Sequence, residues 1–144
     1  MTLAYFDASA LVKLFIDETG SEDVALLWDG ADAVVTSRLA QTEVRVALAA
    51  AHRAQRLDDG AYLAAKGSWE RYRAAVRMVE VTAELAEVAA EVAEAHSLTA
   101  LDAVHLASAI LFASTPLVVA TWDARLLVAT QSLGISTLPA HIEA

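Results

Sequence analysis

The sequence predicts an α/β fold, a three-layer α/β/α sandwich with a mainly parallel central sheet. Short apolar runs suited to buried strands alternate along the chain with longer segments in which apolar residues recur at helical spacing. Strands that alternate with helices form right-handed βαβ units, which place helices on both faces of a parallel sheet. With 144 residues, 57% of them hydrophobic, residues 1–144 are expected to form a single domain with a sizeable core.

Two strands are predicted in the first part of the chain, at Leu3–Phe6 and Ala33–Thr36. After the second strand, Ser37 can cap a long helix that runs from about Arg38 to Arg53. The periodicity predicts that this helix turns Leu39, Val44, Val46 and Leu48 toward the core. Between the two strands, helical spacing is found in Leu11, Leu14 and Phe15 and again in Val24, Leu27 and Trp28.

The rest of the chain is predicted to add two strands, Val76–Val81 and Pro116–Thr121, and an edge strand at Ile135–Leu138. A helix that begins near Asp58 and ends near Ala75 precedes the first of these strands. Capping residues and apolar periodicity place the other helices, which begin near Thr82, Thr99 and Ala124.

Export and membrane insertion are not expected. The N-terminus lacks the basic region and long apolar core of a signal peptide, because Asp7 and Lys13 interrupt it. The run from Ala103 to Trp122 has no Asp, Glu, Lys or Arg, but its polar residues and acidic flanks favour a helix followed by a strand over a membrane span. The absence of cysteine excludes thiol catalysis and disulfides, and favours a reducing cytoplasm.

Charge is distributed unevenly along the chain. The net charge of −9 at first argues against a nucleic-acid partner. However, residues 38–77 contain eight basic residues against four acids, whereas residues 78–124 contain seven acids and no Lys or Arg. The basic stretch could hold RNA through phosphates and aromatic stacking, or it could be a solvated face over a core that contains Trp69.

Four acidic residues are expected to meet at one edge of the sheet. Asp7 and Asp123 each follow a predicted strand, and Glu43 and Asp102 lie near the starts of helices. In open parallel sheets the ligand crevice lies at the carboxyl ends of the strands. Clustered carboxylates without compensating lysines repel one another unless a cation lies among them, and hard oxygen ligands favour Mg²⁺ or Mn²⁺.

Other interpretations of these acids remain open. Asp7 and Asp123 could cap helices, Asp102 could complete a capping box with Thr99, and Glu43 could be a solvated helical residue. An aspartyl-phosphate phosphotransferase also has an Asp after its first strand, but its site needs a second nearby acid and a late lysine, and here no lysine follows Lys66.

Four segments resemble the acidic motifs of the PIN-domain nucleases, in the family's order and with similar separations. They are YFDASALVKLF, SRLAQTEVRVALA, LTALDAVHLASAI and VVATWDARLL, and the resemblance extends from Leu3 to Leu138. Single-domain members of this size resemble VapC-type toxins of toxin–antitoxin pairs. The resemblance implies a PIN-like fold and a metal-dependent endoribonuclease with an acidic quartet of Asp7, Glu43, Asp102 and Asp123.

The resemblance implies ligand roles for the four acids, and the residues themselves suggest further roles. Asp7 and Asp102 would be the principal ligands of Mg²⁺ or Mn²⁺, and Glu43 and Asp123 would complete the coordination or bridge it through water. Ser9 and Thr121 are candidate donors to these ligands, although a turn hydroxyl and a strand-end residue are equally ordinary roles for them. His105, a lone histidine in an apolar helix, is interpreted as structural. The candidate RNA-binding residues are Arg71, Arg73 and Arg77.

The implied partners are an RNA substrate, a second copy of the chain and a cognate antitoxin. The antitoxin would fill the groove with its C-terminal segment and offer a basic side chain to the acidic site. Two alternatives to a toxin are a PIN-domain nuclease that processes RNA and a non-catalytic partner-binding module whose acids only cap helices.

Overall fold

The computed structural model describes residues 1–143; residue 144, the last of the predicted domain, lies outside the described residues. The strands are β1 (Leu3–Phe6), β2 (Ala33–Ser37), β3 (Arg77–Val79), β4 (Leu117–Ala120) and β5 (Ser136–Leu138). The helices are α1 (Ala8–Leu11), α2 (Ser21–Gly30), α3 (Leu39–Arg53), α4 (Asp59–Arg73), α5 (Ala83–His96), α6 (Ala100–Ile110) and α7 (Ala124–Ser132). A 3₁₀ turn, Val12–Leu14, extends α1.

The five strands form one parallel sheet in the order β3-β2-β1-β4-β5, so the first strand of the chain is the middle strand of the sheet. Leu3 of β1 is in register with Ala33 of β2 and with Leu117 of β4. All four residues of β1 are buried, as expected for a central parallel strand with both faces covered. The segments that follow β1, β2 and β4 therefore begin side by side at one edge.

Helices cover both faces of the sheet, which confirms the predicted three-layer α/β/α sandwich. On one face, Ala4 and Phe6 of β1 pack with buried residues of α1 to α4, including Trp69. On the other face, Leu3 and Tyr5 pack with Ala109 of α6. Buried residues of α5, α6 and α7 form a further cluster in this layer, around Leu85, Leu106 and Leu126.

The structure differs from the sequence predictions mainly at the ends of elements. Strand β3 is shorter than the predicted Val76–Val81, because Val76 N–H donates to the Arg73 carbonyl and Thr82 N–H donates to the Glu80 carbonyl in turns. Helix α3 has Arg38, not Ser37, at its N-cap, although the Ser37 hydroxyl accepts a bond from Leu39 N–H.

The prediction that Val46 faces the core is wrong. Val46 is 58% exposed, whereas Val44 and Leu48 are fully buried. Two helical positions correspond to a rotation of about 200°, so Val46 lies opposite the buried face.

The uncharged run from Ala103 to Trp122 contains most of α6 and all of β4. Among residues 1–143, no helix has both the length and the apolarity required to cross a membrane.

Candidate active site

Asp7 directly follows the middle strand of the sheet and is 3% exposed. Its Oδ1 accepts hydrogen bonds from Ala10 N–H at 2.9 Å and from the Ser9 hydroxyl at 2.6 Å. Its Oδ2 accepts a bond from the Thr121 hydroxyl at 2.5 Å. Asp7 therefore caps α1, as the capping interpretation of this residue predicts. It is also bonded to Thr121, which directly follows the neighbouring strand β4. Burial raises the pKa of Asp7, and the three donors and nearby His105 oppose that rise.

Ser9 and Thr121 connect Asp7 to the segment that carries Asp123. The Ser9 hydroxyl accepts a bond from Trp122 N–H at 2.9 Å while it donates to Asp7. The Thr121 hydroxyl likewise accepts from Asp123 N–H at 3.1 Å while it donates to Asp7. These two hydroxyls fix the ends of β1 and β4 to each other beside the buried carboxylate.

Asp123 and Asp102 lie at the starts of two helices near Asp7. Asp123 caps α7 through a 2.9 Å bond from Leu126 N–H. Asp102 lies in the first turn of α6, where its backbone N–H donates to Thr99 Oγ1 at 3.4 Å. Partial burial is the largest cause of a raised pKa at Asp102, and the charge of Asp123 is the second largest. The charge of Asp7 adds to that rise, whereas the Thr99 side chain opposes it. The three aspartates are thus close enough for Asp102 to experience the charges of the other two.

Glu43 reaches the same edge from α3 by way of a histidine. Its Oε1 lies 2.7 Å from His105 Nε2, and the Tyr5 hydroxyl lies 2.7 Å from Nδ1 of the same ring. Burial lowers the pKa of His105, but the bond to Glu43 and the charges of Asp7, Glu43 and Asp102 outweigh it, and the net pKa is raised. His105 is buried, as the structural interpretation predicts, yet it also contacts a candidate site residue. The signal available in the sequence was its position one helical turn after Asp102.

The donor chemistry of this edge suits a hard divalent cation. Within residues 1–143, neither lysine nor arginine forms a salt bridge to any of the four acids, so their charges are not neutralised by a basic side chain. The same residues contain no group of three or more His, Cys, Asp or Glu whose arrangement could hold a metal ion. The carboxylates fit the ion in type and charge, but they are not assembled into a coordination shell.

Trp122, between Thr121 and Asp123, is held by residues that the sequence analysis did not identify. The Lys13 ammonium lies 4.6 Å from the centre of the indole ring. Lys13 is 8% exposed, and it also donates to Glu18 Oε1 at 3.1 Å and to the Thr19 carbonyl at 2.7 Å. Lys13 therefore connects the loop before α2, which contains Glu18 and Thr19, to the segment that leads to Asp123.

The three arginines proposed for RNA binding lie in different places. Arg73 lines a cleft of about 480 Å³ between α3 and α4, together with Arg45. It also lines an adjoining cleft of about 370 Å³, together with Arg38. Arg71, whose Nη2 donates to the Ser68 hydroxyl, and Arg77, at the amino end of β3, line neither of these two clefts.

Comparisons with known proteins identify the family. Residues 4–130 match the family model described as PIN domain. The protein named Ribonuclease VapC49 of Mycobacterium tuberculosis (strain ATCC 25618 / H37Rv) is 48% identical over 143 residues, which is 99% of each chain.

Solved structures of similar fold include two of toxins. The crystal structure of Mycobacterium tuberculosis VapC20, described as a sarcin-ricin loop cleaving toxin, has a TM-score of 0.63 at 23% identity, and the match covers 88% of this chain and 94% of that one. A toxin-antitoxin complex from Klebsiella pneumoniae has a TM-score of 0.61 at 21% identity and covers 84% of this chain and 87% of that one. These two likenesses show the fold. The family-model match and the 48% identity establish that this chain belongs to the PIN-domain family, in its VapC ribonuclease group.

Proposed function

We propose that this protein is a divalent-metal-dependent endoribonuclease that hydrolyses RNA phosphodiester bonds and acts as the toxin of a toxin–antitoxin pair. The observation that carries the proposal is the position of Asp7, Asp102 and Asp123 at the carboxyl edge of the sheet, where the charges of Asp123 and Asp7 act on Asp102 and no lysine or arginine within residues 1–143 neutralises the three acids. The 48% identity to a protein named a ribonuclease supports RNA as the substrate class.

The ion would be Mg²⁺ or Mn²⁺. Asp7 and Asp102 would be its principal ligands, and Glu43 and Asp123 would complete the coordination or bridge it through water. When bound, such an ion lowers the pKa of a coordinated water and neutralises charge that develops on the phosphate.

The protein's own contribution is to orient these carboxylates. Asp7 accepts three hydrogen bonds, from Ser9, Ala10 and Thr121, so its two oxygens have a fixed direction. Ser9 and Thr121 also bind backbone N–H groups of Trp122 and Asp123, so the same two hydroxyls set the distance between Asp7 and Asp123. Preorganised ligands avoid the cost of ordering side chains when an ion or substrate binds.

The RNA would lie along the two clefts beside α3, where Arg73 lines both. Arg45 lies on the same helix as Glu43, about 200° around the helix axis from it, and Arg38 lies just before that helix. Arginine side chains that contact phosphates bind RNA without regard to sequence. Among the three arginines that the sequence suggested, this geometry favours Arg73 over Arg71 and Arg77.

We further propose an antitoxin partner, a homodimer and a location in the cytoplasm, where RNA is available. The antitoxin would place a basic side chain among the four acids, and a toxin-antitoxin complex is among the solved structures that share this fold. The dimer would use the surface at α7, where a cleft of about 520 Å³ is lined by His96, Arg125 and Val128 among others, with Val128 64% exposed. Analytical ultracentrifugation of the wild type and Val128→Asp tests the dimer, and the proposal is wrong if the wild type is a monomer.

A second function is favoured by one observation, that Asp7 and Asp123 each cap a helix. A non-catalytic partner-binding module would need these acids only as caps. Metal distinguishes the two functions. Saturating Mn²⁺ should raise the melting temperature of a metal-dependent nuclease, by an amount set by the ratio of ion concentration to Kd. It should leave the melting temperature of a non-catalytic partner-binding module unchanged.

The test of the proposed function is cleavage of single-stranded RNA by the purified protein in Mn²⁺ and in EDTA. Cleavage is expected in Mn²⁺ alone, and Asp7→Asn should lose it while keeping the circular dichroism spectrum of the folded protein. Asp29→Asn, at an exposed position of α2, is the matched control. Cleavage that persists in EDTA, or in Asp7→Asn, would contradict the metal mechanism.

A further inference from the structure

We infer that His105, with Tyr5 behind it, is a positioning residue that orients the Glu43 carboxylate toward the other three acids. The inference rests on the proposed function, because it takes Glu43 as part of the active site. It goes beyond that function by assigning a role to two buried residues outside the acidic quartet.

The three residues form a continuous hydrogen-bonded chain across the edge of the sheet. Tyr5 is fully buried in β1, on the face covered by α6, and its ring meets the His105 ring edge-on with centres 5.9 Å apart. Glu43 belongs to α3, whose buried residues pack on the opposite face. The 2.7 Å bond between Glu43 and His105 therefore links helices of the two outer layers.

The partners determine the direction of each bond. An ionised carboxylate can only accept, so His105 Nε2 carries the hydrogen and donates to Glu43. In a neutral ring Nδ1 is then the acceptor and the Tyr5 hydroxyl donates to it, whereas in an imidazolium ring Nδ1 also carries a hydrogen and the Tyr5 hydroxyl accepts. In either protonation state Nε2 donates to Glu43 and the Tyr5 hydroxyl holds the other ring nitrogen, an arrangement in which an outer residue sets the orientation of an inner one.

Glu43 depends on this bond more than Asp7 depends on any of its own. The Asp7 carboxylate has three donors. Among residues 1–143, the Glu43 carboxylate has a hydrogen bond only to His105. Glu43 is also 25% exposed and has more rotatable bonds than an aspartate, so without His105 its carboxylate would sample several directions.

The test compares four variants by Mn²⁺ affinity, measured by calorimetry, and by single-turnover RNA cleavage. His105→Leu removes the donor but fills the space, and it should weaken both by about 10–100-fold. His105→Gln can place an amide N–H near the former Nε2 position and should recover most of that loss. Tyr5→Phe, which deletes only the hydroxyl, should fall between them. Thr130→Val, which deletes a buried hydroxyl bonded to the Leu126 carbonyl in α7, is the matched control and should behave as the wild type.

Melting temperatures separate positioning from folding. If His105→Leu does not fold, His105→Asn, which is polar but too short to reach Glu43, takes its place. In a Glu43→Ala background, the change at position 105 should alter Mn²⁺ affinity and cleavage by less than about twofold, because the group to be positioned is gone. Full, additive losses in that background would mean that His105 acts through the fold and would overturn the inference.

The outcomes also distinguish the inference from the proposed function. A wild type that neither binds Mn²⁺ nor cleaves RNA contradicts the proposed function itself. A wild type that does both, with His105→Leu indistinguishable from Thr130→Val, contradicts only the role of His105.

Discussion

Gly20 lies directly against the indole ring of Trp122. A Cβ atom on Gly20 would come within 2.4 Å of Trp122 Cζ2, and the Gly20 backbone has a φ of +93°. Both facts require glycine, the first for space and the second because a side chain disfavours the left-handed region. Since Trp122 N–H bonds to the Ser9 hydroxyl that holds Asp7, a loop remote in sequence supports the site.

Gly20→Ala should therefore destabilise the protein. The left-handed backbone alone costs about 1–2 kcal/mol for a residue with a Cβ, and displacement of the indole ring adds to it. Gly30→Ala is the control, because nothing lies within 4 Å of a Cβ built there. Urea unfolding of both variants checks the prediction, which fails if the two have equal midpoints.

Removal of the four acidic charges should reduce cleavage to different extents. We expect Asp7→Asn and Asp102→Asn to lose activity by orders of magnitude, because Asp7 and Asp102 are the proposed principal ligands of the metal ion. Glu43→Gln and Asp123→Asn should lose less, because a bridging water can partly replace a peripheral ligand. Single-turnover rates at saturating Mn²⁺ measure the order, and near-normal cleavage by Asp102→Asn would show that its assignment is wrong.

Asp102→Asn should melt at a higher temperature than the wild type in EDTA at pH 7. Burial and the charges of Asp123 and Asp7 raise the pKa of Asp102, so its ionised form is disfavoured in the folded protein. Saturating Mn²⁺ should narrow or reverse the difference, because only the wild type has all four carboxylates to bind the ion. If Asp102 were only a cap, the variant would instead be less stable by about 0.5–1 kcal/mol in both conditions.

The advantage of Asp102→Asn in EDTA should also depend on pH. A carboxyl group whose folded pKa lies above the ordinary 3.8 binds more protons in the native than in the unfolded state between those two values. As the pH rises from the unfolded to the folded pKa of Asp102, the free energy of unfolding of the wild type therefore falls relative to that of the variant. Above the folded pKa the difference between the two proteins is constant. Thermal unfolding of both proteins from about pH 4 upward measures it. A difference that shrinks with rising pH would contradict the assigned direction.

Charge removal in the clefts beside α3 should weaken RNA binding uniformly across sequences. For each phosphate of single-stranded RNA that an arginine no longer neutralises, the slope of log K against log salt concentration should fall by about 0.7. We expect this for Arg73→Gln and Arg45→Gln, which line the cleft, and not for Arg53→Gln, an exposed position at the end of the same helix. Fluorescence anisotropy of RNA bound to the inactive Asp7→Asn protein carrying each change measures the slopes. Three equal slopes would show that these arginines belong to a solvated face and do not bind RNA.

Much of the fold could be predicted because local patterns determine it. The buried run Leu3–Phe6 and the capped helices after it follow from apolar periodicity and capping residues. The ends of β3 could not be predicted, because Val76 has strand propensity but its N–H is taken by the turn that closes α4. The apolar pattern misplaces Val46 because Val46 stands between the buried Val44 and Leu48 in sequence, although a rotation of about 200° from Val44 puts it on the exposed side of the helix.

Interactions between distant residues are harder to predict than the acids themselves. The positions of Asp7 and Asp123 follow from strand ends, which are local features. The bond between His105 and Glu43 spans 62 residues and joins opposite layers, and the packing of Gly20 on Trp122 depends on how a loop folds over the sheet. Neither leaves a periodic signal, so both require the three-dimensional structure.

The place of β1 in the sheet determines when the site can form during synthesis. Its neighbour β4 begins only at Leu117, three strands and most of the helices after β1, yet Thr121 directly after β4 supplies the bond to Asp7 Oδ2. A nascent chain that has not yet exposed residues 117–123 outside the ribosome has neither the sheet edge nor the second aspartate beside Asp7. Since domains fold as units once their last partners emerge, the acidic edge is assembled only after residues 117–123 have emerged. The order of the strands thus delays the acidic edge until β4 and the residues after it have been made.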